Sequence, residues 1–279
     1  MHPAERFQAP RSITRGVPLK DLLGPPAIEL VGESFAAVWP AFDLARFRAT
    51  AKRGLAPLGI LPRGDHLAAA LQAQVPPERT AELLIASLGP ELTGTAGFGL
   101  KPFFYLPHVA LISRALVDDP AAGLRACYEV TKRFSAEFCI RPFLLRHPET
   151  TLAALHQWTE DANPHVRRLV SEGSRPRLPW ACRLPPFQQD PTPTIALLQR
   201  LKDDPDLYVR RSVANHVGDI AKDHPDLALN LLTTWLGESE DLPEAQAEAR
   251  RWIIRHAIRL PAQKDVAAAV RLRKRAGGR

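Results

Sequence analysis

Glu137 and Glu172 are the residues whose type and setting point to chemistry. Each follows a basic pair by four residues: Lys132-Arg133 precedes Glu137, and Arg167-Arg168 precedes Glu172. A spacing of four puts both side chains on one helix face. The matching positions further along read Arg211 then Asn215, and Arg251 then Arg255. Two neighbouring segments therefore set a carboxylate into a basic face, and the later ones do not. Two explanations stand side by side. Either the glutamates are ion-pair partners of Arg133 and Arg168, or they are acids held where a polyanion approaches. An unscreened acid in that place opposes polyanion binding. It makes sense where negative charge stabilises a cationic transition state.

The segment after Glu172, Ser171-Glu-Gly-Ser-Arg-Pro-Arg-Leu-Pro-Trp180, adds a second candidate. Gly173 and Pro176 predict a helix end and a projecting loop. Arg175 and Arg177 are expected to extend the basic surface, with Trp180 offering an aromatic face beside it. Trp39, Trp235 and Trp252 lie in apolar periodic runs and read as core. His147, His165, His216, His224 and His256 lack metal-ligand spacing, so no metal is expected. The chain has no Walker motif, no GxGxxG turn and no GxSxG elbow, which leaves chemistry without a cofactor.

The elements that position these residues form an internal repeat. Thr151-Leu-Ala-Ala-Leu-His-Gln-Trp158 resembles Thr194-Ile-Ala-Leu-Leu-Gln-Arg-Leu201, 43 residues on. Val166-Arg-Arg168 and Val209-Arg-Arg211 repeat at the same offset, and Arg250-Arg251 follows 40 residues later. Asn163-Pro164 and Asp204-Pro205 each read as a capping residue followed by proline at the first helical position. Two helices per unit of about 40 residues is the signature of HEAT-type solenoids. One such unit cannot bury its apolar face alone, so the units stack. The expected fold is all-α: helical hairpins stacked into a curved right-handed solenoid with a basic concave groove. Stacking aligns Lys132, Arg133, Arg167, Arg168, Arg210, Arg211, Arg250 and Arg251 into a stripe suited to a polyanion. The competing reading of any single arginine is a salt bridge to the next repeat.

Composition bounds the rest. The chain has 279 residues, 45% hydrophobic and 24% charged, with a formal net charge of +7 and 27 prolines. That is an ordinary core-forming composition broken into many short helices. Three cysteines without CxxC spacing exclude a zinc ribbon or disulfide framework and suit a reducing cytoplasm. No apolar run is long enough for a membrane span. Residues 1–18 are expected to be a flexible leader, 19–270 the repeat domain, and 271–279 a frayed basic tail.

Longer motifs carry a family resemblance across most of the chain. They are Thr131-Lys-Arg-Phe-Ser-Ala-Glu-Phe-Cys-Ile-Arg-Pro-Phe143, Pro164-His-Val-Arg-Arg-Leu-Val-Ser-Glu-Gly173, Arg175-Pro-Arg-Leu-Pro-Trp180 and the stretch from Tyr208 to Pro225. Pro18-Leu-Lys-Asp-Leu-Leu-Gly24 and Trp39-Pro-Ala-Phe42 extend the likeness towards the N-terminus. With these motifs the sequence resembles the AlkC branch of the AlkC/AlkD-type DNA alkylation repair glycosylases. The resemblance implies a monomeric, cofactor-free enzyme of the bacterial cytoplasm or nucleoid. It would cradle double-stranded DNA and release positively charged alkylated bases such as 3-methyladenine, with 3-methylcytosine or 7-methylguanine as further candidates, without flipping them into a deep pocket. Glu137 and Glu172 match family acids at the lesion-facing surface, with Glu137 favoured as the helper to water, and Arg168 matches a groove arginine. An additional acid is expected near Trp180, with Glu160 or Asp161 as candidates. The listed cations, together with Arg175 and Arg177, would hold phosphates. The Ig-like C-terminal domain of some members is not expected in this chain. The alternative is a non-catalytic HEAT scaffold binding nucleic acid or protein.

Overall fold

Prolines set the helix starts. Pro25, Pro120, Pro164, Pro185 and Pro225 each occupy the first turn of a helix in the computed structural model. There the missing N–H costs nothing and φ is already helical. The structure describes residues 1–264 and 266–278; among them no strand occurs. The chain is all-α and divides at Thr151 into two units.

The first unit carries α1 (Pro3–Arg6), α2 (Pro25–Ala36), α3 (Leu44–Lys52), α4 (Ile60–Gln72), α5 (Thr80–Ala86), α6 (Leu106–Ala115), α7 (Pro120–Thr131) and α8 (Ile140–Arg146). Its core is aromatic. Phe35 stacks on His108 at 5.5 Å, and Phe104 and Tyr105 close around the same imidazole. The α7–α8 hairpin is tight because Gly123 leaves room for Phe143. A Cβ at Gly123 would lie 2.2 Å from that ring, well inside van der Waals contact. α9 (Pro148–Trp158) runs across the junction.

The second unit carries α10 (Pro164–Gly173), α11 (Pro185–Gln189), α12 (Thr192–Leu201), α13 (Leu207–Asp223), α14 (Pro225–Glu238), α15 (Glu244–Ala257), α16 (Arg259–Gln263) and α17 (Ala267–Arg275). The second helices of the repeats, α10, α13 and α15, pack side by side. This is the stacking that the 43-residue offset predicts. The matched His-Pro turns are equivalent in structure too. His147 Nε2 meets the Val117 carbonyl and His224 Nε2 meets the Gln188 carbonyl, both at 2.8 Å.

Arg167 and Arg250, the first arginines of their pairs, staple neighbouring repeats together. Arg167 donates to Asp204 Oδ2 at 2.6 Å and to Asp206 Oδ2 at 2.8 Å, and its Nη1 also reaches the Asp161 and Ala162 carbonyls. Arg210 repeats the carbonyl part of this pattern, donating to Asp204 O at 2.6 Å and Pro205 O at 2.7 Å. Arg250, 3% exposed, pairs with Asp203 and Glu238. A buried guanidinium needs such partners, because desolvating it unpaired costs several kcal/mol. The stripe of eight equal phosphate-facing cations is therefore corrected: Lys132, Arg133, Arg167, Arg168, Arg250 and Arg251 all hold acidic side chains of the protein itself.

Three other expectations are corrected. α13 begins at Leu207 rather than after Asp204-Pro205, because the Asp204 carboxylate serves as the ladder acceptor and receives the Asp206 amide at 2.9 Å. The start of the leader is docked: His2 caps α1, and Phe7, 3% exposed, packs 5.6 Å from Phe104, while residues 11–17 are exposed and outside any helix. The basic tail is largely helical. Within α17 and just after it, Ala269, Leu272 and Ala276 are buried; Arg279 lies outside the described residues. Trp235 is buried as expected, whereas Trp39 and Trp252 are only half-buried.

Two measurements test this scaffold. Arg167→Ala is expected to cost about 2–4 kcal/mol of stability by urea denaturation, since it strands the buried carboxylate of Asp204; a loss below about 1 kcal/mol would contradict the ladder. His108 and His216 are fully buried, and burial lowers their pKa values to about 3 and about 4. Unfolding frees both to bind protons near pH 6.5, so stability falls as pH drops below 6.5. The slope is up to about 1.4 kcal/mol per pH unit for each, until the folded-state value is reached. Neither His108 ring nitrogen has a hydrogen-bond partner among the described residues. His108→Leu is accordingly expected to be well tolerated at pH 7.5 and to flatten that acid slope by one proton in denaturation series.

Candidate functional site

In the first unit, Glu137 sits in the turn between α7 and α8, not on a helix. α7 ends at Thr131, and the Lys132 carbonyl receives Leu92 N at 3.0 Å instead of an amide further along the same helix. The expected shared helix face of Arg133 and Glu137 is therefore absent. Ser135 positions the glutamate: its Oγ donates to Glu137 Oε2 at 2.8 Å and accepts from the Glu137 amide at 3.3 Å. Lys132 is drawn to Glu129 and Glu91 at 2.9 and 3.0 Å and lies 4.6 Å over the Tyr128 ring. Arg133 donates to Gly89 O at 2.6 Å and pairs with Glu129 at 3.1 Å. Both basic residues thus have acidic partners of their own, and Glu137 remains half-buried.

In the second unit, the helical spacing holds. Arg168 and Glu172 share a face of α10, with Nη2 to Oε1 at 3.5 Å, and the Arg168 guanidinium lies 5.3 Å over the Tyr208 ring. Glu172 is 6% exposed. Its Oε1 accepts from Arg175 Nη1 at 2.7 Å and its Oε2 from Ser212 Oγ at 2.6 Å. Burial pushes this carboxyl towards the neutral form. Arg168, Arg175 and the Ser212 bond outweigh that push, and its pKa lies below the ordinary range. Glu172 is thus an ionised carboxylate kept almost out of water.

The acid that shares a guanidinium with Glu172 is Asp219. Arg175 reaches Asp219 Oδ2 at 2.8 Å, and Lys222 holds Asp219 Oδ1 at 2.7 Å. The sequence offers Glu160 or Asp161 as the additional acid. Glu160 pairs instead with Arg200 at 2.6 Å, and Asp161 accepts the Asn163 amide at 2.8 Å. A sequence signal for Asp219 existed: Arg211, Asn215 and Asp219 succeed one another at steps of four along α13. His216 lies beneath this group, its Nδ1 on the Ser171 carbonyl at 2.9 Å. With a pKa lowered to about 4 by burial and then by Arg175, it is neutral near pH 7. Arg175 and Asp219 also wall a cavity of about 440 Å³ whose lining includes Ala228, Leu229, Ile258 and Leu260.

The loop after α10 is fastened at its base. Arg177 forks onto Asp223 at 2.8 and 2.5 Å, Leu184 N closes onto Pro176 O at 3.2 Å, and Leu178 and Leu184 are buried. Arg175 and Arg177 are thereby loop fasteners rather than an extension of the open surface. Above them stands Trp180, 62% exposed, with φ of 67°. A non-glycine residue in the left-handed region costs about 1–3 kcal/mol unless its surroundings impose it. An exposed ring held in that conformation gains nothing from the core. Of the remaining cations, Arg251 pairs with Glu244 and Glu248, while Arg211 is exposed and has no ion-pair partner among the described residues. Among the same residues, no three His, Cys, Asp or Glu side chains are grouped to hold a metal ion, and no helix is long and apolar enough to cross a membrane.

No family model matches the chain. A solved structure of Pseudomonas fluorescens alkylpurine DNA glycosylase AlkC, bound to DNA containing an abasic site analog, is similar over 92% of this chain and 68% of that one, at 37% identity and a TM-score of 0.80. The uncharacterized protein YhaZ of Bacillus subtilis (strain 168) is 44% identical over 137 residues, which is 49% of this chain and only 36% of that protein. AlkD2 from Streptococcus mutans aligns at 18% identity and a TM-score of 0.49. The likeness to AlkC covers 92% of this chain and therefore reaches into both units, and on that identity and coverage the chain belongs to the AlkC-type family.

Proposed function

We propose that the protein is a monofunctional DNA glycosylase that hydrolyses the N-glycosidic bond of cationic alkylated bases, 3-methyladenine foremost, in duplex DNA. The observation that carries this reading is Glu172, an ionised carboxylate at 6% exposure held by Arg168 and Arg175. A cationic alkylated base leaves as a neutral molecule, so it needs little acid assistance. Positive charge passes to the deoxyribose as the bond stretches, water adds at C1′, and one proton is released. Fixed negative charge in a site of low dielectric stabilises the sugar cation without reorganising as it forms. Glu137 of the first unit, half-buried and oriented by Ser135, is a second carboxylate whose chemistry suits accepting a proton from water. Asp219 shares the Arg175 guanidinium and fixes the geometry of Glu172. Trp180 meets the damaged nucleotide, where a cationic base gains about 0.5–2 kcal/mol from the ring face. Phosphate contacts fall first to Arg211, which is exposed with no ion-pair partner among the described residues, with Arg168 beside Glu172 as the second candidate.

A non-catalytic HEAT scaffold is the second reading, and one observation favours it: both oxygens of Glu172 are already taken by Arg175 and Ser212. Incubating the protein in excess over 3-methyladenine duplex and assaying free base separates the two, since a scaffold releases none. On the enzyme reading, Glu137→Gln and Glu172→Gln each slow release by about 100-fold or more, the range for loss of a positioned base or charge. Duplex affinity stays within a few-fold and helical circular dichroism is retained. Trp180→Gly is expected to separate stability from function. It relieves the left-handed strain, so the melting temperature is unchanged or higher, while base release falls. A lower melting temperature with unaltered release would remove Trp180 from the site.

A further inference from the structure

Most arginines of the second unit are occupied by other parts of it. Arg167, Arg175, Arg177, Arg250 and Arg251 all hold acidic side chains. α17 differs. Arg271, Lys274 and Arg275 are exposed, and none has an acidic partner among the described residues. Steps of three and four put them on one face of the helix. The opposite face is an anchor: Leu272 and Ala269 are buried where α17 meets α14 and α16. The end of α17 is also tied to the inner helices, because Arg255 of α15 donates to Ala276 O at 2.5 Å.

Cations near a helix C-terminus do complement its dipole. Arg271 and Arg275, however, are like charges four apart and repel by an amount similar to the gain of an ion pair at that spacing. Three cations without acidic partners among the described residues, on a docked helix, are unfavourable to the protein by itself and favourable to a polyanion. Regularly spaced phosphates suit them, because arginine and lysine on a fixed helix neutralise backbone charge and release its counterions.

We propose that the exposed face of α17 binds the phosphate backbone of duplex DNA. This rests on the DNA-binding part of the function proposed above and needs no damaged base. The experiment measures binding of an undamaged, fluorescein-labelled duplex by anisotropy across roughly 50–300 mM salt. The triple variant Arg271→Ala, Lys274→Ala, Arg275→Ala is compared with the wild type. The expected result is a fall of about 2–3 in the slope of log K against log salt, at about 0.9 per lost phosphate contact. Arg271→Lys with Arg275→Lys keeps the slope. A charge-matched control in the first unit, Arg46→Ala, Arg53→Ala, Arg125→Ala, leaves it within about 1 of the wild type. An unchanged slope in the α17 triple variant, an equal fall in the control, or a fall in the lysine variant would each overturn the proposal. Base release from 3-methyladenine duplex, assayed on the same preparations, separates the two claims. Release with an unaltered slope removes α17 alone. A reduced slope with no release in the wild type removes the glycosylase reading and leaves the α17 contact standing.

Discussion

A guanidinium taken out of water must find a carboxylate, and that requirement organises the second unit. Arg167, Arg175 and Arg250 are each nearly buried, and each is met by an acid of the neighbouring repeat. Their value lies less in net stability than in register, since an ion pair of this kind contributes little beyond an apolar replacement but penalises every arrangement that breaks it. The pairing also decides what charge is left for a ligand. Arg167 and Arg250 are neutralised within the stack, whereas Arg211 is exposed with no ion-pair partner among the described residues.

The same constraint shapes the acid site. Glu172 and Asp219 lie on successive second helices and meet on one arginine, so the geometry of the candidate catalytic group is inherited from the packing of α10 on α13. The loop bearing Trp180 is fastened to α13 by Arg175 and Arg177. An exposed aromatic ring is in this way held by buried electrostatics, with no contribution from its own burial.

Much of this was legible in the sequence. Proline positions and the 43-residue offset announce helical hairpins, and the Arg168–Glu172 spacing gives a shared face because both residues lie within one helix. Glu137 shows where such reading stops. Its basic pair lies only 35 residues before the next one, and the chain turns after Thr131 because a distant amide, that of Leu92, takes the Lys132 carbonyl. No local pattern reports a partner 40 residues away. The fate of the arginine pairs was hidden for a related reason: adjacent residues on a helix point about 100° apart, and only the neighbouring acids reveal which one faces inward. At the two ends, Phe7 and the sparse set of Ala269, Leu272 and Ala276 are too few for a periodic signal, yet they suffice to dock short helices.

Residue 204 has a double use. Its carboxylate receives Arg167 from the preceding repeat, and its carbonyl receives Arg210 from its own. One peptide unit is thus gripped from both sides. Solenoids of this kind often melt as a line of semi-independent links, each fraying without its neighbours. A shared anchor removes that freedom here: α10 cannot separate from α13 without also loosening the turn that launches α13. The acid cluster lies on this seam and inherits its cooperativity, so its geometry persists or dissolves as one body.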